Sequence, residues 1–417
     1  MLGNSPDLIT QVRGRFAHVE SDPFSGERIF FENAGGALTL NSVVETSARF
    51  AAIPDNQGRD NPASAYLVDV IAKARADAQT FFNAPAGGQV VVGESGTELL
   101  FRLARAACAG QAPGKVVSST LEHPASRSAA ALGAEAAGLE HVVVAHDDAT
   151  GTIGPEAYAL AMTPDVRVAT IVHASPVTGM GMDVAAIAGA IRAVAPECLI
   201  LVDGIQHAAH GHVDVAAAGV DGYVVSPYKM FSRHGFGLAW ISERLAAQPH
   251  DTLKGGGAWE LGTRDTGAYA TFSDVVDYFC WLGEALGEAG DTRAKIEAAA
   301  AAIHAHETDL TNAMLHGTGN QKGLAELEGV TILGGVDNPA REGLVSLTLE
   351  GLTAEELVSA LRERGIRTHA RKADHYSGNV LTPLGLAGCL RVSMCHYNTE
   401  AEVAAFLAAM AEIAGAA

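Results

Sequence analysis

Short apolar runs rich in valine, isoleucine and leucine alternate with alanine-rich stretches along the first two-thirds of the chain. Such runs, bounded by turn residues, are the pattern of strands buried on both faces. They predict strands at Gln89–Val92, Lys115–Ser118, His141–Ala145, Arg167–His173, Leu199–Val202, Tyr223–Val225 and Leu238–Ile241. Helical stretches are expected between them at 97–109, 125–137, 183–195 and 212–219. This alternation predicts an α/β domain with a mainly parallel seven-stranded sheet covered on both faces. Too little chain precedes Gly235-Phe236-Gly237-Leu238-Ala239-Trp240 for a helical crossover, so the last strand is expected to return antiparallel.

The pattern changes after about residue 275. An alanine-rich helix is predicted around 283–304, followed by apolar runs at Val330–Leu333 and Leu344–Leu349. Thr353-Ala354-Glu355-Glu356 has the form of a capping box, and a strand is expected near Ile366–His369. Another strand at Gly388–Ser393 precedes a helix opening after Asn398-Thr399-Glu400. The expectation is a large domain over 31–275 and a small α/β domain made of 276–417, with residues 1–30 packed against it. No internal repeat or low-complexity linker is visible.

Composition narrows the function classes. The chain has 417 residues, 48% of them hydrophobic, and a formal net charge of -20 with scattered basic residues. That argues against a nucleic-acid partner and against an anionic membrane surface. No uninterrupted apolar stretch reaches the ~20 residues needed to span a bilayer. The N-terminus lacks a cationic segment followed by an apolar core, and the five cysteines form no CxxC pair. Reduced thiols and a cytoplasmic location are therefore expected.

Two charged residues stand out against this background. Asp203 closes the run Leu199-Ile200-Leu201-Val202, and Lys229 follows Gly222-Tyr223-Val224-Val225 within Ser226-Pro227-Tyr228-Lys229. Charged groups at the C-terminal ends of buried strands are costly in a core but useful beside a ligand. A lysine can form a Schiff base with a carbonyl cofactor, and an aspartate can hold a proton on a pyridine nitrogen. Together they point to pyridoxal 5'-phosphate (PLP), with Gln206 within reach of its phenolic oxygen. Glu94-Ser95-Gly96-Thr97-Glu98 follows one predicted strand and opens a helix, so Gly96 and Thr97 amides and the Ser95 or Thr97 hydroxyl can cradle a phosphate. An ordinary helix cap explains the same residues. Ser226 and Tyr228 are further phosphate donors. His123, beyond the strand ending at Ser118, can stack on a pyridine face and shuttle protons, or can be a loop histidine satisfied by its neighbours. His173, His207, His210 and His234 have no persuasive metal-ligand spacing, so no metal is expected.

On these motifs, together with Phe31-Glu32-Asn33-Ala34-Gly35, Ser175-Pro176-Val177-Thr178-Gly179, Glu260-Leu261-Gly262-Thr263, Arg391-Val392-Ser393 and Tyr397-Asn398-Thr399, the chain resembles the class V aminotransferase family of PLP fold type I. The likeness is to its cysteine desulfurase-like branch and covers most of the chain in order. The resemblance implies that Lys229 carries the cofactor as an internal aldimine, Asp203 faces the pyridine nitrogen, Gln206 the phenolate, and His123 the ring. It further implies phosphate contacts from Thr97, Ser226 and Tyr228, with Thr263 supplied across a homodimer interface. Arg391 matches the family's α-carboxylate-binding arginine, whose planar donor fork suits that anion.

The departures bear on the reaction. The family's desulfurases carry a persulfide-forming cysteine in the loop that corresponds to Thr368–Gly378, and this stretch has none. Cys389 and Cys395 lie outside it; Cys389 shares a strand face with Arg391 and is expected to be a buried structural thiol. Pro176 stands where many relatives have an asparagine, which leaves Gln206 more nearly alone at the phenolic oxygen. In the altered 369–380 loop, His375 and Tyr376 are candidate substrate contacts, and Arg371 and Lys372 are either contacts or solvated cations. The expected function is a PLP enzyme acting on a small amino acid through Cα deprotonation by Lys229, as an aminotransferase or Cβ–S lyase. Cysteine desulfuration, racemisation or epimerisation, and a non-catalytic PLP-binding role remain as alternatives.

Overall fold

The computed structural model describes Leu2 and residues 5–415. Seven strands form one sheet: β1 (Gln89–Gly93), β2 (Lys115–Ser119), β3 (Glu140–Val144), β4 (Val166–Val172), β5 (Leu199–Asp203), β6 (Gly222–Val225) and β7 (Gly237–Ile241). Their spatial order is β1-β7-β6-β5-β4-β2-β3. Neighbours run parallel except β7, which is antiparallel to both β1 and β6. The sheet is thus the one expected from the apolar runs, with each end placed within a residue of the expected one. Every residue of β5, β6 and β7 is buried, as a sheet sandwiched between helices demands.

Helices Gly96–Cys108 and Pro124–Ala137 pack side by side on one face of this sheet. Their contact depends on Gly133, where an added Cβ would lie 3.2 Å from the Ala104 carbonyl oxygen and from Cys108 Sγ. The expected helix at 212–219 shortens to Val215–Ala218, capped by the Asp214 side chain and closed by Gly219 at φ 62°. Helices that were not predicted include Asn41–Ala51 and Pro62–Phe81, which pack along Thr266–Ala285, and Pro6–Arg13 and Pro155–Ala161.

The single helix expected at 283–304 is two, Thr266–Ala285 and Thr292–His316. The break has a local cause that alanine content obscures. Gly287 takes φ 96°, and Asp291 caps the second helix by accepting from the Ala294 amide at 2.9 Å. Beside the break, Gly283 lets the helices touch, because a Cβ there would sit 2.3 Å from the Lys295 carbonyl oxygen.

The C-terminal region builds an antiparallel sheet from β8 (Val330–Ile332), β9 (Leu344–Leu349), β10 (His369–Lys372) and β11 (Gly388–Ser393), in the order β8-β9-β11-β10. The strand expected near Ile366–His369 is divided. Ile366 and Arg367 pair in parallel with Ile29 and Phe30, whereas His369 begins β10 on β11. Helices Ala354–Glu363 and Glu400–Ala414 open with capping boxes, Thr353 with Glu356 and Thr399 with Glu402. The N-terminal segment touches both parts of the molecule. Phe16 packs edge-on against Phe231 and Tyr278, while Arg13 donates to the Tyr397 carbonyl and to Glu402. Among the described residues no helix is long and apolar enough to cross a membrane.

Candidate active site

The C-terminal ends of β4, β5 and β6, the start of helix Gly96–Cys108 and the loop after β2 surround one cavity. Ligands of open α/β sheets bind at this edge, since loops there diverge and helix N-termini point inward. The cavity is lined by Thr97, His123, Val172, Ala174, Pro176, Asp203, Ile205, Gln206, Ser226, Tyr228 and Lys229. Sequence-predicted residues separated by more than a hundred positions thus meet in one place.

Lys229 sits in a turn that the backbone holds tightly. Its amide donates to the Ser226 carbonyl, and Met230 and Ser232 both donate to Pro227. Phe231, with φ 68° and no exposed surface, ends the turn in a conformation that L-residues adopt only under packing constraint. The Lys229 ammonium lies 3.3 Å from Gln206 Oε1, its only hydrogen-bond partner among the described residues. Burial, then the nearby Arg391, pushes its pKa down to about 8. Asp203 is 4% exposed, and desolvation raises its carboxyl to about 6 even though Oδ1 accepts from the Ile205 amide and Lys229 lies near. A buried amine easily deprotonated and a buried carboxylate both suit proton chemistry near neutrality.

His123 caps helix Pro124–Ala137, its Nδ1 accepting from the Ala125 amide at 3.1 Å. Desolvation, followed by the charges of Lys229, Arg371, Arg127 and Arg391, holds the ring neutral with a pKa of about 4. The preceding Glu122 fixes this loop. It is 1% exposed, accepts from the Ser119 amide and both oxygens receive the Thr170 hydroxyl at 2.7 and 2.8 Å, with Ser126 as a further donor. Nothing in the sequence marked Glu122 as more than a neighbour of His123; its donors come from three separate elements.

The start of helix Gly96–Cys108 is shaped by two glycines. A Cβ at Gly96 would lie 2.3 Å from Ser226 Oγ and 2.7 Å from Ile205 Cδ1, and one at Gly237 would strike the Ser95 backbone at 2.3 Å. The absence of both side chains keeps the first-turn amides accessible beside the Ser226 hydroxyl, an anion-binding arrangement. Ser95 Oγ is engaged as the helix cap, accepting from the Glu98 amide at 3.1 Å, while Thr97 lines the cavity. Tyr228 stacks on His234 with ring centroids 4.3 Å apart. Thr263 is exposed, with Asn56 Nδ2 3.4 Å from its hydroxyl, and is not among the residues around this cavity.

A wider mouth adjoins the cavity, lined among others by Glu32, Gly35, His369, Arg371, Tyr376 and Arg391. Arg391 is 3% exposed; its Nη1 donates to the Pro176 carbonyl at 3.0 Å, so the residue without a side-chain donor holds the guanidinium through its backbone. Burial, then the like charge of Arg371, brings the Arg391 pKa down to about 10. Tyr376 reaches the mouth with its ring 6.0 Å from that of His123, whereas His375 is exposed and packs on Tyr376. Cys389 and Cys395 have no exposed surface. Desolvation raises the Cys389 thiol to about 11 and the Cys395 thiol well above the ordinary range, so neither offers a thiolate.

Of the four histidines read as unlikely metal ligands, His234 is exposed, and His173, His207 and His210 form a separate layer next to Gln206, with His207 and His210 buried. His207 pairs with Glu342 at 2.6 Å, His210 with Glu307 at 2.8 Å, and His173 meets the Tyr223 hydroxyl at 2.6 Å while stacking on His207. His210, Glu307 and Cys395 present ligand atoms within 4.8 Å of one another. The ion pair accounts for two of these three, and the third is a protonated thiol.

Comparison with known proteins gives a consistent result. Residues 29–406 match the family described as Aminotransferase class-V. A "Probable cysteine desulfurase" of Xylella fastidiosa is 26% identical over 95% of this chain and 92% of its own length. The "Aminotransferase-like protein FGM3" of Gibberella zeae is 25% identical, covering 98% of this chain and 99% of that protein. Among solved structures, the apo cysteine desulfurase of Thermococcus onnurineus superposes with a TM-score of 0.80 at 20% identity, over 94% of this chain and 95% of that one.

Proposed function

Since the chain belongs to the aminotransferase class-V family, with the PLP fold type I architecture and PLP as its cofactor, we propose that it is an enzyme that deprotonates a small amino acid at Cα, leading to transamination or Cβ–S cleavage. The observation that carries this reading is the convergence of Lys229, Asp203, Gln206 and His123 on one cavity, with Arg391 at its mouth. The donor set fits the cofactor: a buried amine for its carbonyl, a buried carboxylate for its ring nitrogen, and a glycine-opened helix start with Ser226 for its phosphate. When bound, PLP supplies an electron sink for the pair left at Cα on proton loss.

The chain's own residues divide the remaining work. Lys229, poised near neutrality, accepts the Cα proton and returns it. Asp203 stays ionised above about pH 6 and so keeps the ring nitrogen protonated. His123 remains neutral, which lets it lie against a ring without adding a cation. Gln206 faces the phenolic oxygen, and Arg391 takes the α-carboxylate on the donors not used by Pro176. Thr97, Ser226 and Tyr228 serve the phosphate. Thr263 does so across a homodimer, a role supported by its exposure and by its absence from the lining of its own subunit's cavity.

Aminotransferase or lyase chemistry is favoured over persulfide desulfuration because residues 369–380 carry no cysteine and the two cysteines near Arg391 are fully buried. The test is reconstitution with PLP, borohydride reduction and peptide mass analysis, followed by product analysis with an amino-acid panel. Reductive labelling is expected at Lys229. Labelling elsewhere, or none, rejects the site. A keto acid with a pyridoxamine cofactor identifies transamination, and pyruvate with release of the Cβ substituent identifies elimination. Persulfide on any of the five cysteines would reinstate desulfuration.

A further inference from the structure

The mouth of the cavity holds a second guanidinium for which the reading above has no use. β10 and β11 pair His369 with Arg391 and Arg371 with Cys389. Alternation along each strand puts residues 369, 371, 389 and 391 on one face, which makes Arg371 and Arg391 diagonal cross-strand neighbours. Two like charges in this relation repel; burial lowers the affinity of Arg391 for its proton most, and the charge of Arg371 lowers it further.

The acids of the wall act on the pair only from a distance, Asp374 on Arg371 and Glu32 on Arg391. Among the described residues neither Arg371 nor Arg391 forms an ion pair under a 4.0 Å limit. The nearby acids are committed elsewhere. Glu32 pairs with Arg367 and His369, and Asp374 accepts from the Tyr376 amide at 2.8 Å. Lys372, the remaining cation of the loop, is paired with Glu355 at 2.8 Å. Arg371 Nε donates to Ser377 Oγ at 2.8 Å, and its Nη2 is buried without a partner. Arg391 likewise keeps a buried Nε without a partner. Two desolvated cations with spare donors, side by side, are unfavourable until an anion meets each of them.

We propose that the substrate is a short dicarboxylic amino acid, held by Arg391 at its α-carboxylate and by Arg371 at its side-chain carboxylate. The inference rests on the PLP-enzyme reading and names the substrate class of that same site. The outer edge of the Arg371 guanidinium, left free by Ser377, is a planar pair of donors that matches one carboxylate. Diagonal cross-strand neighbours, with backbones about 7–8 Å apart, suit the two ends of a short diacid. Ser377, fully buried, orients Arg371 from behind. Tyr376 stands over the same space.

The test is absorbance titration of the PLP-loaded protein with L-aspartate, L-glutamate, L-asparagine, L-glutamine and L-alanine. Each acid is expected to bind roughly tenfold or more tightly than its amide, the scale of a charge-assisted hydrogen bond. In Arg371→Gln that acid-to-amide ratio should collapse towards one, with Arg371→Lys retaining part of it. Circular dichroism and PLP uptake establish that each variant is folded. Amides binding as tightly as the acids, or a ratio unchanged in Arg371→Gln, overturns the inference while leaving the PLP reading intact. Failure of the wild-type protein to take up PLP removes both.

Discussion

The wall of Lys229, Arg371 and Arg391 and the histidine layer beside Gln206 are both dense in ionisable groups, yet they treat charge in opposite ways. In the layer, two histidines each meet a carboxylate that raises their pKa: His207 meets Glu342, and His210 meets Glu307, all buried. In the wall, Lys229, Arg371 and Arg391 share a space in which, among the described residues, no carboxylate comes within 4.0 Å to pair with them, Glu32 and Asp374 acting only from farther off. A buried charge with its counter-charge supplied by the chain is complete without a ligand. A buried charge left without one is waiting for something outside the chain. Density of titratable residues therefore does not distinguish scaffold from site; completeness of pairing does.

The largest effect that sharpens this contrast falls on the wall. Lys229→Ala should lower kcat by about 10³-fold or more, because it removes both the cofactor attachment and the proton acceptor. Thermal unfolding of the same variant should show little loss, since no paired charge is broken. Breaking the layer should do the reverse. Glu307→Ala strands the buried His210 and should cost about 3–5 kcal/mol in denaturant unfolding, measured on the apoprotein, with PLP capture retained where the protein is folded. If Glu307→Ala instead abolished PLP capture in folded protein, the layer would belong to the site.

A smaller effect is expected from Arg391→Gln, which should reduce kcat/KM for amino acids by roughly 10–100-fold through loss of a charge-assisted contact. It should also move a second observable. The rate at which apoprotein captures PLP depends on unprotonated Lys229, so stopped-flow absorbance should show it rising with pH through about 8. Removing the repelling Arg391 cation raises the lysine pKa, and the profile should shift to higher pH. An unmoved profile would mean that Arg391 does not act on Lys229.

The smallest effect is the pH dependence of stability contributed by the layer. Burial lowers the pKa values of His207 and His210, but Glu342 and Glu307 outweigh it and leave both raised. A raised folded-state value means the stabilisation is fully present below the unfolded histidine value of ~6.5 and is lost as pH climbs through the folded one. Melting temperature should therefore fall on the alkaline side of neutrality, and Glu307→Gln should flatten that decline. A decline on the acid side that Glu307→Gln removes would show that His210 is buried neutral.

Much of the scaffold was legible because its signals are local. Runs such as Leu199–Val202 announce buried strands, and Thr353 with Glu356 announces a helix start. Lys229 and Asp203 could be picked out because a charge at the end of an apolar run is conspicuous. The helix break near Gly287 and Asp291 carried equally local signals, but the surrounding alanines masked them. What stayed hidden is long-range. Glu307 and Glu342 reach their histidines from 97 and 135 positions away, and neither is marked by its own neighbours in sequence. Pairing state, the property that separates wall from layer, exists only after folding. The importance of Gly96 and Gly237 was equally hidden, for a missing side chain has meaning only against the atoms that fill its place.

Those two glycines also bear on how this chain can vary over generations. Any side chain at 237 meets backbone, which has nowhere to move, and any at 96 meets Ser226 and Ile205 together. Residues 373–376, by contrast, are exposed on a turn that closes with a short helix. Lineages descending from such a protein are free to rewrite the turn while the two glycines stay fixed. What the enzyme acts on can drift, but what it carries is inherited.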